Sequence, residues 1–128
     1  MEVGSVYLHA PFCRRRCLYC DFAVQVRKEG DARGWAAAMA GELRLLEAEG
    51  VRLADRLATV YVGGGTPSLL GARAMDLLAD ALGRSRLSHG ELEWTCEANP
   101  ESLTAAVADG WRQAGVNRLS LGVQSFQE

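Results

Sequence analysis

Residues Tyr7 to Phe22 read YLHAPFCRRRCLYCDF, and this stretch decides how the rest of the chain is interpreted. It contains three of the four cysteines of the chain, Cys13, Cys17 and Cys20, in the spacing C-x3-C-x2-C. An odd number of cysteines cannot pair completely within one loop, and thiolate is the ligand that iron–sulfur clusters use. The stretch therefore predicts a metal centre and not a disulfide.

Zinc is the alternative metal for this loop. His9 lies four residues before Cys13, so His9 and the three cysteines could form a Cys3His tetrahedron. Structural zinc sites usually have two ligand pairs separated by a spacer, whereas all the candidates here fall in one loop. Three thiolates leave one iron of a cluster open, as a catalytic site requires. The spacing favours a cluster, with zinc as the alternative. The fourth cysteine, Cys96, lies in an apolar run and is expected to be a small buried hydrophobe.

The composition describes an ordinary globular chain. Its 128 residues are 48% hydrophobic and 23% charged, enough for one domain with a modest core. The net charge of -2 gives no general attraction to nucleic acid, and no nucleic-acid partner is expected. No apolar run is long enough for a membrane span, and the first residues do not have the pattern of a secretory signal. With the unpaired thiols, these features predict a cytoplasmic protein.

Four short β-branched runs alternate with three amphipathic helical patterns along the chain. The runs cover 6–10, 57–62, 92–97 and 118–123, and the helical patterns cover 31–49, 70–81 and 103–114. Asp31 and Thr104 are predicted N-caps, and Gly50, Gly83 and Gly115 stand where helices need a residue that tolerates a positive φ. Alternating strands and helices predict an α/β fold with a parallel sheet.

Each unusual cluster of the sequence lies at the carboxyl end of a predicted strand. In chain order these clusters are the cysteines, the run Gly63-Gly64-Gly65-Thr66-Pro67, the pair Glu97 and Asn99, and the pair Gln124 and Ser125. The carboxyl ends of parallel strands share one edge of the sheet, so these clusters predict a single site. Four strands cannot close a barrel, and no helix follows the last one. We therefore expect residues 1–128 to be a partial core domain of a longer protein.

Two of these clusters have more than one interpretation before the fold is known. The glycine run could be a simple turn, a phosphate cradle or a place where backbone approaches a ligand closely. It lacks the G-x-G-x-x-G pattern and the lysine of a P-loop, which argues against a nucleoside triphosphate site. Glu97 could be an ordinary exposed carboxylate or an acceptor for a pair of ligand hydroxyls, such as those of a ribose.

Taken in order, the motifs C-x3-C-x2-C, GGGTP, ExNP and GVNRLSLGVQSF resemble those of radical S-adenosylmethionine (SAM) proteins. More specifically, the chain resembles the oxygen-independent coproporphyrinogen III oxidase-like family from Tyr7 to Phe126. The resemblance implies the first four strands or so of an incomplete (β/α)6 barrel, which a smaller C-terminal domain follows in that family.

The resemblance also implies a cofactor set and a role for individual residues. Cys13, Cys17 and Cys20 would bind a [4Fe–4S] cluster, whose fourth iron binds the amino and carboxylate groups of SAM. Tyr7 and the backbone of residues 64–66 (Gly64, Gly65 and Thr66) would contact the methionine part of SAM. Glu97 would accept hydrogen bonds from the ribose hydroxyls. The remaining contacts implied are Gln124 and the backbone of Tyr19, the latter near the adenine.

Two branches of the family differ after the third cysteine. The dehydrogenase that converts coproporphyrinogen III to protoporphyrinogen IX tends to have C-G-C there, whereas this chain has Cys20-Asp21-Phe22. That sequence resembles the heme chaperone branch. The resemblance thus implies heme or a porphyrin as a ligand and a protein that accepts heme. The oxidative decarboxylation of coproporphyrinogen III remains the alternative activity, so the sequence does not decide whether the protein is an enzyme.

Overall fold

The computed structural model describes residues 1–13, 25–26 and 32–122, and among them eight strands and three α-helices. In chain order these are β1 Glu2–Val3, β2 Ser5–Ala10, β3 Phe12–Cys13, β4 Gln25–Val26, α1 Ala32–Ala48, β5 Arg52–Leu53, β6 Thr59–Gly64, α2 Ala74–Leu82, β7 Glu93–Ala98, α3 Ala105–Ala114 and β8 Arg118–Leu121. Two short 3-10 helices, Pro67–Leu70 and Arg84–Arg86, flank α2.

The main sheet confirms the predicted α/β architecture. Its strand order is β2-β6-β7-β8, and every neighbouring pair is parallel. The register places Tyr7 opposite Tyr61, and Tyr61 opposite Thr95. Helices α1, α2 and α3 lie between successive strands in the chain, as parallel connections require. All four carboxyl ends therefore lie at one edge of the sheet.

The predicted limits of α1 and α3 and the predicted end of α2 agree closely with the structure. The Thr104 side chain accepts a hydrogen bond from the Val107 backbone N–H at 3.2 Å, which confirms it as an N-cap. Gly50, Gly83 and Gly115 have φ values of 93°, 98° and 126°, so each adopts the positive-φ conformation expected after a helix. The other predicted N-cap, Asp31, lies outside the described residues.

The predicted start of the second helix is wrong. Residues 70–81 were expected to form one helix, but α2 begins at Ala74 and Leu70 belongs to the preceding 3-10 helix. Gly71 separates the two, because its φ of 89° cannot continue a right-handed helix. Leu46, expected on the apolar face of α1, is instead 42% exposed.

Two small parallel strand pairs and one 3-10 helix were not predicted. The pairs are β1 with β5 and β3 with β4, and the 3-10 helix Arg84–Arg86 lies in the segment interpreted as a loop. Each of these strands has only two residues, too few for an alternating pattern to appear in the sequence. The predicted fourth strand reached residue 123, whereas β8 ends at Leu121 and residue 123 is outside the described ranges.

One face of the sheet forms the core with the three helices. Leu8 of β2, Val62 of β6 and Trp94 of β7 are buried on this face together with Trp111 of α3. Cys96 belongs to the same core and is fully buried, which confirms it as a small hydrophobe. Burial raises the pKa of its thiol, and the thiol therefore stays protonated at neutral pH. None of the helices in the described ranges is long and apolar enough to cross a membrane.

Gly110 in α3 is expected to tolerate no larger residue. A Cβ atom at this position would lie 2.4 Å from the backbone oxygen of Ala72, and backbone cannot move aside as a flexible side chain can. We expect Gly110→Ala to destabilise the protein by about 2 kcal/mol despite the better helix propensity of alanine. Denaturant unfolding of purified variants measures this effect.

Gly41→Ala is the matched control in α1. A Cβ there would meet only the Arg44 side chain, at 3.7 Å. With no steric cost, the gain in helix propensity should stabilise the protein by about 0.5–1 kcal/mol. Equal effects of the two substitutions would contradict the packing of α3 described above.

Candidate functional site

A cleft of about 230 Å³ lies at the carboxyl edge of the main sheet. It is lined by Gly64, Gly65, Thr66, Glu97, Ala98, Asn99, Ser120 and Gly122. These residues follow or end strands β6, β7 and β8, so the parallel topology brings three separate segments together. The predicted convergence of the glycine run with Glu97 and Asn99 is therefore observed.

Glu97 has both carboxylate oxygens fixed by neighbours on β6. The Tyr61 hydroxyl donates a hydrogen bond to Oε2 at 2.7 Å, and the Gly64 backbone N–H donates to Oε1 at 3.1 Å. Glu97 lies opposite Ser120 of β8 in the register. A carboxylate can accept about four hydrogen bonds, so each oxygen has capacity for one further donor. The carboxylate is thus ordered and still able to bind ligand hydroxyl groups.

The glycines leave the backbone bare around this carboxylate. A Cβ on Gly63 would lie 2.9 Å from Glu97 Oε1, and a Cβ on Gly64 would lie 2.5 Å from the His9 ring. Gly64 also has a φ of 111°, which side chains rarely allow. The Gly65 N–H donates to the Ala10 carbonyl at 2.8 Å, which ties the run to β2. The run is both a turn and a surface that a ligand can approach closely.

Tyr7 and His9 extend this polar face along β2. The Tyr7 ring stacks on Tyr61, with centroids 5.8 Å apart and an interplanar angle of 21°. Its hydroxyl lies 3.2 Å from Nδ1 of His9, a half-buried residue of the same strand. Tyr7 is 59% exposed, and Tyr61, on which it stacks, connects it to the cleft residue Glu97. It therefore borders the site without lining the cleft.

Both phenols on this face are held in the protonated form. The pKa of Tyr61 is raised mainly because its hydroxyl donates to the Glu97 carboxylate, and burial adds to this effect, whereas a hydrogen bond with Ser120 opposes it. The pKa of Tyr7 is raised by burial and then by the negative charge of Glu97. At neutral pH, Tyr61 therefore remains a hydrogen-bond donor to Glu97.

Several predicted site residues lie outside the described part of the chain. They are Cys17, Tyr19, Cys20 and Gln124. The backbone of Cys13 is described in β3, which pairs with β4 and lies next to the 3-10 helix Pro67–Leu70. The cysteine segment thus begins beside the loop that follows the glycine run. The roles of the cysteines, Tyr19 and Gln124 stay predictions.

Sequence reasoning missed Tyr61, Ser120 and Gly122. Tyr61 could have been found, because alternation along a strand places it on the same face as Gly63, two residues later. Ser120 required the register, since only strand pairing shows that it lies opposite Glu97. Gly122 continues the strand ladder by donating to the Ala98 carbonyl at 3.0 Å, a contact with no local sequence signal.

Comparison with known protein families identifies the class of protein to which this chain belongs. The model of the radical SAM superfamily matches residues 7–128, and the chain belongs to that superfamily. Its members generally use SAM together with a [4Fe–4S] cluster.

Relatives within the superfamily include two kinds of protein. The chain is 42% identical to the oxygen-independent coproporphyrinogen III oxidase of Cereibacter sphaeroides over 125 residues, covering 95% of this chain and 27% of the relative. It is 43% identical to the heme chaperone HemW of Mycobacterium tuberculosis over 125 residues, covering 94% of this chain and 31% of the relative. These identities do not separate the two branches.

A solved structure agrees with the fold. The coproporphyrinogen III oxidase (HemN) from Escherichia coli, a radical SAM enzyme, superimposes with a TM-score of 0.76 and 28% sequence identity. The match covers 98% of this chain and 28% of that one. The chain thus spans less than a third of the length of each of these three relatives.

Proposed function

We propose that residues 1–128 form the first part of a radical SAM core domain in a longer protein that binds a [4Fe–4S] cluster and SAM. The observation that carries this proposal is the carboxylate of Glu97, fixed by Tyr61 and the Gly64 N–H beside a bare glycine backbone. An ordered carboxylate next to accessible backbone suits a ligand with both vicinal hydroxyls and an amino-acid moiety. SAM has both.

Each of the predicted site residues has a defined task in this proposal. Glu97 accepts hydrogen bonds from the ribose hydroxyls, using the acceptor positions that Tyr61 and Gly64 leave open. The backbone at 64–66 and Tyr7 of β2 contact the methionine moiety. Cys13, Cys17 and Cys20 hold the cluster, the backbone of Tyr19 lies near the adenine, and Gln124 is a further contact of SAM. When bound, the cluster and SAM together supply a carbon-centred radical.

The cleft fits part of such a ligand. Its volume of about 230 Å³ lies just below the range of ~300–1,000 Å³ that is usual for small-molecule pockets. Tyr19 and Gln124, which the proposal also assigns to the ligand, lie outside the described residues. The donor and acceptor set matches the ribose end, where Glu97 is the acceptor and Ser120 can donate or accept.

For the whole protein, we propose a heme chaperone that binds heme and transfers it to an acceptor protein in the cytoplasm. The sequence Cys20-Asp21-Phe22 and the similarity to HemW proteins support this branch. Unpaired thiols suit a reducing compartment, which supports the location. Heme binding by the full-length protein without conversion of coproporphyrinogen III would agree with this function.

The second candidate is the oxidative decarboxylation of coproporphyrinogen III. It is favoured by the 42% identity to the Cereibacter sphaeroides oxidase and by the structural match to the Escherichia coli enzyme. Incubating the reconstituted full-length protein with SAM and coproporphyrinogen III under anaerobic conditions distinguishes the two candidates. Formation of protoporphyrinogen IX would contradict the chaperone proposal.

Glu97→Gln is expected to weaken SAM binding about tenfold. An amide has one acceptor oxygen instead of two, and hydrogen bonds to a neutral acceptor are about half as strong as those to a carboxylate. Equilibrium binding of SAM to the reconstituted full-length protein measures this loss.

Glu93→Gln is the matched control on the same strand. Glu93 is exposed at the opposite end of β7, where its side chain forms an ion pair with Arg118 at 3.4 Å. This variant should bind SAM as the unmodified protein does. If both variants bind with unchanged affinity, Glu97 does not contact the ligand and the site assignment is wrong.

A further inference from the structure

We infer that Tyr61 is a positioning residue that holds Glu97 in the conformation able to receive the two ribose hydroxyls of SAM. This inference rests on the proposed SAM site and adds to it a residue that does not itself contact the ligand. Tyr61 is not among the described residues that line the cleft, whereas Glu97 is. We therefore expect Tyr61 to act on SAM through its hydrogen bond to Glu97.

The phenol of Tyr61 is placed firmly enough to orient another side chain. Its ring stacks on Tyr7, with centroids 5.8 Å apart. From this fixed position the hydroxyl donates to Glu97 Oε2 at 2.7 Å. A short hydrogen bond to a charged acceptor is about twice as strong as a neutral one, so it selects one orientation of the carboxylate.

The surroundings leave Glu97 in need of such a restraint. Gly63 offers no side chain to pack against it, and a Cβ there would already touch Oε1 at 2.9 Å. The Gly64 N–H fixes only Oε1, so without Tyr61 the carboxylate could rotate about that single contact. Ordering a flexible glutamate side chain costs rotamer entropy. A side chain that is ordered before the ligand arrives spares the ligand this cost.

The test uses the full-length protein with its cluster reconstituted, and Tyr61→Phe, which keeps the ring and its stacking on Tyr7. We expect the variant to bind SAM about fivefold more weakly, because the carboxylate must be ordered on binding. A 2′,3′-dideoxy analogue of SAM lacks both hydroxyls, and its affinity should be the same for the variant and the unmodified protein. The ratio of the two affinities is therefore the decisive quantity.

Thr59→Val is the control for a general disturbance of the strand. Thr59 lies on the same face of β6, two residues before Tyr61, and both residues are half-buried, so the substitution removes a hydroxyl from a comparable position of the strand. We expect it to leave both affinities unchanged. The iron content of all three proteins should be equal, since Tyr61 lies on β6 and the proposed ligands are the three cysteines.

The outcomes separate this inference from the proposed function. If the unmodified protein binds SAM but Tyr61→Phe weakens SAM and the analogue equally, or weakens neither, Tyr61 does not act through Glu97 and the inference is wrong while the SAM site stands. If the unmodified, reconstituted protein does not bind SAM, the proposed function fails and the inference fails with it. A loss of affinity for SAM but not for the analogue in Tyr61→Phe supports both the inference and the proposed SAM site.

Discussion

Replacing Gly64 with alanine is expected to destabilise the protein by about 3 kcal/mol and to lower SAM affinity by more than tenfold. The φ of 111° at this position is strained for any residue with a Cβ, which costs about 1–3 kcal/mol. The added methyl group would also lie 2.5 Å from both Cε1 and Nδ1 of His9, so the ring must move. Because the Gly64 N–H anchors Glu97, that movement disturbs the ligand site.

Gly71→Ala is the control that separates backbone strain at a positive φ from the steric clash with His9. Gly71 has a similar φ of 89°, but a Cβ there would meet nothing within 4 Å. This control should lose only the conformational part of the stability, about 1–2 kcal/mol, and should bind SAM normally. Adding His9→Ala to Gly64→Ala should recover the steric part. Equal losses in Gly64→Ala and Gly71→Ala would show that the His9 ring does not pack on the glycine run.

Replacing Cys17 with alanine is expected to remove nearly all of the iron–sulfur cluster. Two remaining thiolates hold a four-iron cluster poorly, and a neighbouring carboxylate or water is a weaker ligand for it. Iron and sulfide analysis after anaerobic reconstitution of the full-length protein measures the loss. SAM binding that depends on the open iron should disappear at the same time.

Cys96→Ala is the matched control for the loss of a cysteine. The Cys96 side chain is fully buried in the core, and its thiol stays protonated because burial raises the pKa. Its removal should cost about 1–2 kcal/mol of stability through a small cavity, with unchanged iron content. A Cys17→Ala protein with a full cluster would mean that the ligands are wrongly assigned.

The fold was predictable wherever a segment was long enough to show the spacing of apolar residues that is typical of a helix or a strand. Short β-branched runs predicted the four strands of the main sheet. Thr104 predicted the start of α3, and the glycines that follow α1 and α3 predicted where these helices end. The start of α2 was not predictable, because Leu70 continues the apolar period across Gly71. Two-residue strands such as β1 and β5 contain no period at all and depend on tertiary pairing.

The location of the candidate site was predictable from the sequence, but the hydrogen bonds between its side chains were not. Parallel strands have their carboxyl ends at the same edge of a sheet, which predicted that these residues share one site. The cleft is indeed lined by Gly64, Gly65, Thr66 and Glu97. The hydrogen bond from Tyr61 to Glu97 depends on side-chain rotamers on two strands, which no local pattern encodes. Cysteine spacing predicts a cluster on chemical grounds, and this part of the site stays a prediction.

The most direct test of a SAM-binding cluster is electron paramagnetic resonance of the full-length protein after anaerobic reconstitution and reduction. We expect about four irons and four sulfides per chain, a paramagnetic signal of the reduced cluster, and a change in that signal when SAM binds the open iron. Near-stoichiometric zinc with no iron–sulfur absorption and no paramagnetic signal would contradict the assignment of the three cysteines to an iron–sulfur site.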